Sequence, residues 1–228
     1  RLDLAVTGET DDAIYLFSGK GDGNFTFLRT VDGRTSAQKS SSTAVSLYGI
    51  ASADFNRDGK MDLAVTQRKT DLLAILLGNG NGTFQAPATL PVGRHPTYLQ
   101  VARLNDDQVS GPGDDFADLT ILLEGGRQNP QDNTEVPLPG GAALLLGNGD
   151  GTFTVAPPIT ETLSESPVQI AVGRMGLGTP GFDDLALVNF GSSTVMLYPS
   201  NGSGGFGVPV TLGGSASTLR NPRGIALM

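Results

Sequence analysis

The chain has 228 residues, of which 32 are glycine, 14 are proline and 17% are charged. This composition is typical of a turn-rich all-β protein with short strands. The net charge of −8 disfavours binding to a phosphate backbone, which excludes nucleic acid as a partner. The absence of cysteine excludes disulfides and thiol chemistry. No apolar run approaches the roughly 20 residues that a membrane-spanning helix needs.

One short strand recurs four times along the chain and begins each time with Asp and Leu. The four copies are residues 3–6, 62–65, 118–121 and 184–187. A glycine-rich turn that ends in Phe follows each copy, at residues 19–25, 78–84, 147–153 and 200–206. From the Asp to the Phe is 22 positions in three copies and 35 in the third copy, which therefore contains a 13-residue insertion. The constant spacing indicates four repeat units.

Each unit is predicted to form four strands. The first strand precedes the recurring Asp, and its copies are residues 47–53, 96–102, 167–173 and 222–228. The second strand begins with the Asp, and the third is almost wholly apolar, which suits a strand covered on both faces. The fourth starts at the Phe, as in residues 84–90, and its polar and proline residues suit an exposed edge.

Four strands repeated every 40 to 60 residues are typical of a β-propeller blade. The sequence therefore predicts an all-β protein, built as a single β-propeller domain or propeller fragment with about four blades. The units are residues 1–46, 47–95, 96–166 and 167–221, with 222–228 as a final blade strand.

Two arrangements of the chain ends remain open at this point. The chain is an arc of a larger propeller, or it is a closed four-bladed ring in which residues 223–228 complete the blade begun by residues 2–6. Closure would hide both sheet edges. An open arc would expose an apolar blade face that further blades would have to cover.

The loop between the first two strands of unit two, residues 54–62, has the pattern of a calcium site. Oxygen-bearing side chains occupy positions 1, 3, 5 and 9, and Gly59 at position 6 permits a sharp turn. Val65 stands where an EF-hand would place its last Glu, and a strand follows, so a calcium hairpin between strands fits better. The predicted calcium ligands are Asp54, Asn56, Asp58, the carbonyl of Lys60, and Asp62.

Units three and four replace the first ligand of this loop with Arg103 and Arg174. A guanidinium repels a divalent ion, so both units are predicted to be free of metal. One interpretation is simple loss of the site. The other is that each arginine pairs with the retained Asp118 or Asp184, or with neighbouring loop carboxylates, and takes over the role of the ion.

The pattern Asp-Phe-Asn-x-Asp-Gly-x-x-Asp-Leu-Ala-Val at residues 54–65, with Leu-Leu-Gly-Asn-Gly-x-Gly-Thr-Phe at 76–84, resembles the FG-GAP-like or VCBS repeat. This repeat is related to the blades of the integrin α-subunit propeller. The resemblance covers essentially the whole chain and is most specific in unit two. It implies a propeller, usually of seven blades, with calcium in the hairpin between the first two strands of a blade. It implies no single activity, because such repeats occur in adhesins, lectins and appendages of secreted enzymes.

No motif for catalysis or for cofactor binding is present in the sequence, and the single His95 lies in a linker between units. The acidic pairs at 114–115 and 183–184 precede second strands, where loop-structuring oxygens are expected instead of glycosidase carboxylates. We therefore expect a calcium-stabilised, non-enzymatic module of a secreted or cell-surface protein, acting in protein or carbohydrate recognition, in adhesion or as a scaffold. The alternative is an accessory propeller of a secreted enzyme, such as a glycoside hydrolase, whose catalytic part lies outside this chain.

Two long segments, residues 32–43 and 125–139, are predicted at the end of the sheets opposite the calcium hairpin. Connections from strand two to strand three, and between units, all turn at that end. Long loops on a rigid scaffold are where binding specificity is usually built. We expect a protein or glycan ligand on this face, and the alternative is that both segments are idle.

Overall fold

The computed structural model describes residues 3–107, 116–125, 139–161, 166–214 and 219–227. Its regular elements are strands apart from one helical turn, α1 (Ser36–Ser40), so the all-β prediction is confirmed. No helix in these ranges is long and apolar enough to cross a membrane.

The strands form four sheets, each a meander in which neighbours along the chain pair antiparallel. Sheet one contains β1 (Leu4–Gly8), β2 (Ala13–Gly19) and β3 (Phe25–Asp32). Sheet two contains β4 (Leu47–Ala53), β5 (Asp62–Gln67), β6 (Leu72–Leu76) and β7 (Ala88–Pro91). Sheet three contains β8 (Pro96–Ala102), β9 (Asp118–Leu123), β10 (Gly141–Gly147) and β11 (Phe153–Thr160). Sheet four contains β12 (Pro167–Gly173), β13 (Asp184–Asn189), β14 (Thr194–Tyr198) and β15 (Val210–Gly213). These sheets are the predicted blades of a β-propeller-like fold.

The hydrophobic core is divided into layers between neighbouring sheets. One layer joins Ala64 and Leu73 of sheet two to Leu119 and Leu145 of sheet three, and all four are buried. Two further layers join sheet one to sheet two and sheet three to sheet four. The middle strands are therefore covered on both faces, which explains their apolar sequences. Each fully buried leucine contributes about 1.5–3 kcal/mol.

The first strands of sheets two and three, β4 and β8, approach each other closely. A Cβ atom placed on Gly49 would lie 2.2 Å from the carbonyl oxygen of Thr97, so only glycine fits there. The buried Thr66 hydroxyl accepts a hydrogen bond from the Gly49 amide at 2.7 Å and donates one to the Thr97 carbonyl at 2.7 Å. One hydroxyl thus links the two sheets.

In the part of the chain that the structure describes, sheet one has no strand in the position of β4, β8 and β12. Among the described residues β1 pairs only with β2, and its Leu4 and Val6 are 44% and 47% exposed. The corresponding Leu63 and Val65 of β5 are 4% and 0% exposed. The outer face of β1 is therefore uncovered in this structure.

Two strand predictions were wrong. Residues 222–227 form no strand, and Leu227 lies beside Gly173 of β12 instead of pairing with β1, so the four-bladed ring closure does not form in the described residues. The fourth strand of unit two is shorter than the predicted 84–90, because Phe84 makes only an isolated bridge to Gly78 before β7 begins. Between them the Gln85 amide still donates to the Leu77 carbonyl at 2.8 Å, whereas Pro87 has no N–H group to donate to a neighbouring strand.

Candidate functional site

A buried aspartate at the start of β5 joins two loops of sheet two. One carboxylate oxygen of Asp62 accepts the Phe55 amide at 2.9 Å, and the other accepts the Gly78 amide at 2.7 Å. Asp62 is completely buried. The loop after the first strand and the glycine-rich turn after the third strand therefore meet at one end, as the strand order predicted.

The same arrangement recurs in the other sheets. Asp118 accepts the Leu104 amide at 2.7 Å and the Gly147 amide at 2.9 Å. The equivalent bonds elsewhere run from Gly19 to Asp3 at 2.9 Å, and from Met175, Leu177 and Ser200 to Asp184 at 3.1, 3.0 and 2.8 Å. Asp62 and Asp118 satisfy buried backbone donors of the two loops that they join, which explains why the Asp recurs at this position.

The predicted calcium loop folds back on itself between β4 and β5. The Asp58 amide donates to side-chain oxygens of both Asp54 and Asn56, each at 3.1 Å. The amide of Gly59, which has a φ of 80°, donates to the second carboxylate oxygen of Asp54 at 2.8 Å. The oxygens of the first three predicted ligands therefore turn toward the centre of the loop. This is the inward orientation that a cation in the loop requires.

The fifth predicted residue of the loop, Asp62, behaves differently. Its carboxylate lies at the base of the hairpin, held by the two amides described above. In the described ranges no three His, Cys, Asp or Glu side chains gather closely enough to form a metal centre. The loop therefore fits a cation in part: Asp54, Asn56 and Asp58 present oxygens, whereas Asp62 is committed to the fold.

The side chain of Lys60 also enters this loop. Its ammonium group lies 3.0 Å from a carboxylate oxygen of Asp58. This hydrogen bond is the main cause that lowers the pKa of Asp58 below its usual value. Asp58 is consequently anionic at neutral pH, and its charge is compensated by a lysine whose own backbone carbonyl was predicted as a calcium ligand.

The arginines that replace the first ligand do not pair with the aspartates that were expected to hold them. The Arg103 guanidinium donates to the Gly181 carbonyl at 3.3 Å and lies 5.1 Å from the centre of the Phe182 ring, in unit four. Arg174 is exposed. Backbone amides hold Asp118 and Asp184 instead, so the predicted pairing with these two aspartates is wrong. The neighbouring loop carboxylates, which were the other expected partners, lie partly at 108–115, outside the described residues.

Burial raises the pKa of Asp118 above its usual value. The residue is completely buried. The pKa of Asp118 is raised to about 6, mainly by burial and to a smaller extent by the nearby Asp107 carboxylate, against the lowering effect of the Leu104 and Gly147 amides. The eight residues between this loop and β9, 108–115, lie outside the described residues, as does the acidic pair at 114–115.

The opposite end of the sheets carries the first of the two predicted ligand-binding segments. Thr35 caps α1 with a capping box, and the Gln38 side chain donates to the buried Gln67 side chain at 2.7 Å. Gln67 in turn donates to the Gly33 carbonyl at 2.8 Å. Residues 32–43 are thus anchored on sheet two. The second segment lies largely outside the described residues, which leave out 126–138.

A groove of ≈ 850 Å³ runs between β11 of sheet three and the end of β14 with the turn that follows it in sheet four. Its floor includes the Tyr198 and Phe206 rings, which meet edge to face with centres 6.4 Å apart. The hydroxyl of Tyr198 donates to the Glu161 carboxylate. Val155 and Pro157 of β11 form one wall of the groove. No sequence signal indicated this groove, because it depends on how β11 lies against a turn of the next sheet.

This architecture defines a class of protein: a propeller-like array of four-stranded blades with Asp-anchored hairpins. The FG-GAP-like repeat family matches the chain over residues 1–65 and 54–109. The first 109 residues are therefore similar to the FG-GAP-like repeat, as the resemblance in unit two indicated. It matches no curated protein sequence.

Solved structures share the fold. A proposed 6-phosphogluconolactonase from Bacteroides uniformis superposes with a TM-score of 0.64 at 13% identity, over 99% of this chain and 57% of its own. A lectin from Agrocybe aegerita that recognises non-reducing terminal N-acetylglucosamine superposes with a TM-score of 0.52 at 19% identity, over 96% of this chain and 49% of its own. The chain thus spans about half the length of these structures. The fold is consistent with a recognition or accessory module.

Proposed function

We propose that this chain is a recognition module of a secreted or cell-surface protein, stabilised by calcium, and that it binds carbohydrate in the groove between sheets three and four. The observation that carries the proposal is the groove itself. Its volume of ≈ 850 Å³ lies within the range of about 300–1,000 Å³ that is usual for small-ligand sites.

The lining of the groove suits a sugar. A pyranose ring presents apolar C–H faces and a rim of hydroxyls, so it needs apolar walls with polar groups at their edges. Val155 and Pro157 supply apolar wall, and the exposed Thr154, Asn201 and Ser203 supply polar groups. The fungal lectin with the same fold also recognises a sugar, which supports this ligand class in the proposal.

Calcium enters the proposal through the loop of residues 54–62. Bound calcium would supply positive charge to the oxygens of Asp54, Asn56 and Asp58 and hold the hairpin closed. The Phe55 carbonyl in this loop accepts a hydrogen bond from the Gly151 amide at 3.0 Å. Gly151 belongs to the turn that leads into β11, and β11 forms a wall of the groove. This hydrogen bond therefore joins the predicted calcium loop to the turn before a wall of the groove.

The test is a glycan array probed with the chain and with two matched variants. Val155→Lys places a charged side chain in the groove, and Leu212→Lys makes the same change at a comparably exposed position on β15, outside the groove. We expect the first variant to lose glycan binding and the second to retain it. Absence of any bound glycan, or binding that Val155→Lys leaves unchanged, would contradict the proposal.

A protein partner on the face with the 32–43 and 125–139 segments is the second candidate. The anchoring of Gln38 on Gln67 favours it, because a loop held in one conformation binds a partner with less loss of entropy. The accessory-propeller alternative concerns the whole protein and is distinguished by a catalytic domain encoded beside these repeats.

A further inference from the structure

Residues 222–227 enter as the first strand of a blade does, but they have no sheet of their own among the described residues. A positive φ marks the residue before each of β4, β8 and β12 and also Asn221, with values of 58°, 47°, 49° and 43° at Ser46, His95, Ser166 and Asn221 in turn. The Asn221 amide donates to the Ser193 hydroxyl at 3.1 Å, in the turn between β13 and β14. The His95 amide donates to Asp71 in the equivalent turn of sheet two at 2.9 Å. The backbone before residue 222 is therefore set up for a first strand.

The sequence of this segment matches β1 specifically. The pentapeptide Asp-Leu-Ala-Val-Thr occurs twice, at residues 3–7, which include most of β1, and at 62–66 in β5. The tripeptide Gly-Ile-Ala also occurs twice, at 49–51 in β4, which pairs with β5, and at 224–226. The other first strands, β8 and β12, lack the glycine, and their partners β9 and β13 lack the threonine. Residues 224–226 therefore have the sequence of the strand that belongs beside β1.

The threonine of this pentapeptide links neighbouring blades through its hydroxyl. Thr66 accepts a hydrogen bond from the Gly49 amide of its own blade and donates one to the next blade. Thr7, at the equivalent position of β1, donates to the Tyr48 carbonyl of the next blade at 2.6 Å. Among the described residues its hydroxyl oxygen accepts no amide. Gly224, the equivalent of Gly49, carries the amide that is missing there.

Exposed apolar side chains cover the free faces at the two ends of the array. On sheet one they are Leu4, Val6 and Phe27, and on sheet four Val210 and Leu212, all between 44% and 55% exposed. The β5 residues at the positions of Leu4 and Val6 are buried, because sheet one packs against them. A sheet in the same position relative to β1 would bury Leu4 and Val6 in the same way. Each end therefore presents a face of the kind that packs between blades within the chain.

We propose that two copies of this chain associate head to tail, with residues 222–227 of each copy paired to β1 of the other as its first strand. Sheet four of one copy packs on sheet one of the other, as neighbouring sheets pack within the chain. The four sheets superpose on about half of two propeller-like structures, so two copies complete a closed ring. The association uses neither the glycan groove nor the calcium loop, so it stands or fails independently of the proposed function.

Sedimentation velocity of the chain over a range of concentrations is the first test, and we expect a dimer that dissociates on dilution. Leu212→Lys places a charge on the free face of sheet four and should weaken association about tenfold or more. Val155→Lys makes the same change at a comparably exposed position in the groove and should leave association unchanged. A chain that is monomeric at every concentration, or a dimer that Leu212→Lys leaves intact, overturns the proposal.

Engineered cysteines identify the strand that pairs with β1. The chain contains no cysteine, so any disulfide comes from introduced residues. Ala51 of β4 lies opposite Ala64 of β5, and the equivalent pair is Ala226 and Ala5. A mixture of Ala5→Cys chains with Ala226→Cys chains should therefore form a disulfide-linked heterodimer under mild oxidation. Ile225→Cys is the matched control, because its side chain points to the opposite face of the strand and should not link to Ala5→Cys.

The disulfide outcomes separate the possible partners of β1. No heterodimer, or equal linking of Ile225→Cys, overturns the proposal. A chain that carries both Ala5→Cys and Ala226→Cys and links only within itself overturns it as well, because one chain then closes its own ring.

Gly224→Ala separates the association from the fold of the single chain. No atom lies within 4 Å of a Cβ at this position, so the stability of the monomer should not change. At the equivalent Gly49 a Cβ would lie 2.2 Å from a carbonyl oxygen of the adjacent first strand. Gly224→Ala should therefore weaken association about tenfold or more, as measured by sedimentation velocity. Unchanged association of this variant overturns the pairing of residues 222–227 with β1.

Discussion

The buried Asp118 makes the stability of this protein depend on pH in a defined direction. Its carboxylate is completely buried between the Leu104 and Gly147 amides, and burial raises its pKa from 3.8 to about 6. The native state therefore prefers the protonated carboxyl. In the variant Asp118→Asn the side chain keeps its shape and cannot ionise. Comparison of the variant with the wild type isolates this one group.

The expected magnitude follows from the pKa difference between the folded and unfolded states. Because the folded pKa is the higher one, the stabilising preference is fully present below about pH 4 and is lost as the pH rises through about 6. A difference of about two pKa units corresponds to about 3 kcal/mol. The free energy of unfolding of Asp118→Asn, relative to wild type, should therefore rise by about 3 kcal/mol between pH 4 and pH 7. A constant penalty of about 1–3 kcal/mol is superimposed, because the Asn NH2 group faces a backbone donor.

Urea unfolding followed by far-UV circular dichroism at several pH values measures this difference. Asp184→Asn is the matched variant, since it places an amide against the equivalent backbone donors in sheet four. Its free energy of unfolding reports the effect of the amide substitution itself. A difference between Asp118→Asn and wild type that stays flat from pH 4 to pH 7 would refute the reasoning.

Two further outcomes test the calcium proposal and the packing of the sheets. Titration calorimetry should give one calcium site with a dissociation constant of about 10⁻⁴–10⁻³ M. This site should be absent in Asp58→Ala and retained in Asp150→Ala, which removes a carboxylate from the turn of sheet three. An isotherm that Asp58→Ala leaves unchanged would place the metal elsewhere. Gly49→Ala should lower the free energy of unfolding by about 1–3 kcal/mol, because its Cβ would lie 2.2 Å from the Thr97 carbonyl oxygen. The control Gly224→Ala should have no effect on the unfolding of the monomeric chain, because no atom lies within 4 Å of a Cβ at that position. Equal stability of both variants would contradict the close approach of β4 and β8.

The repeat pattern predicted the strands with good accuracy because each blade is stabilised by local pairing. The bounds of β4, β8 and β12 agree with the sequence, since each is a run of apolar residues that ends before a loop leading to an Asp. The meeting of two loops at that Asp follows from the strand order alone. The oxygens of Asp54, Asn56 and Asp58 likewise turn inward, because neighbouring backbone amides in the same loop orient them.

The repeat pattern did not predict the contacts between sheets. Residues 222–227 have the sequence of a first strand, yet a strand forms only where a neighbouring strand offers its backbone. Arg103 has the sequence position of a calcium ligand, but the Phe182 ring that attracts it belongs to the next unit.

The amino-acid sequence by itself determined the repeat, the strands within each blade and the loops at each end, because these depend on neighbours along the chain. The tertiary structure decided which side chains from different sheets meet. The groove at Tyr198 and the contact between the Tyr48 and Tyr98 rings arise from the distance and angle between sheets, and these result from packing of the whole core. Tyr198 and the Glu161 carboxylate that it contacts are 37 positions apart, and no local spacing encodes such a pair.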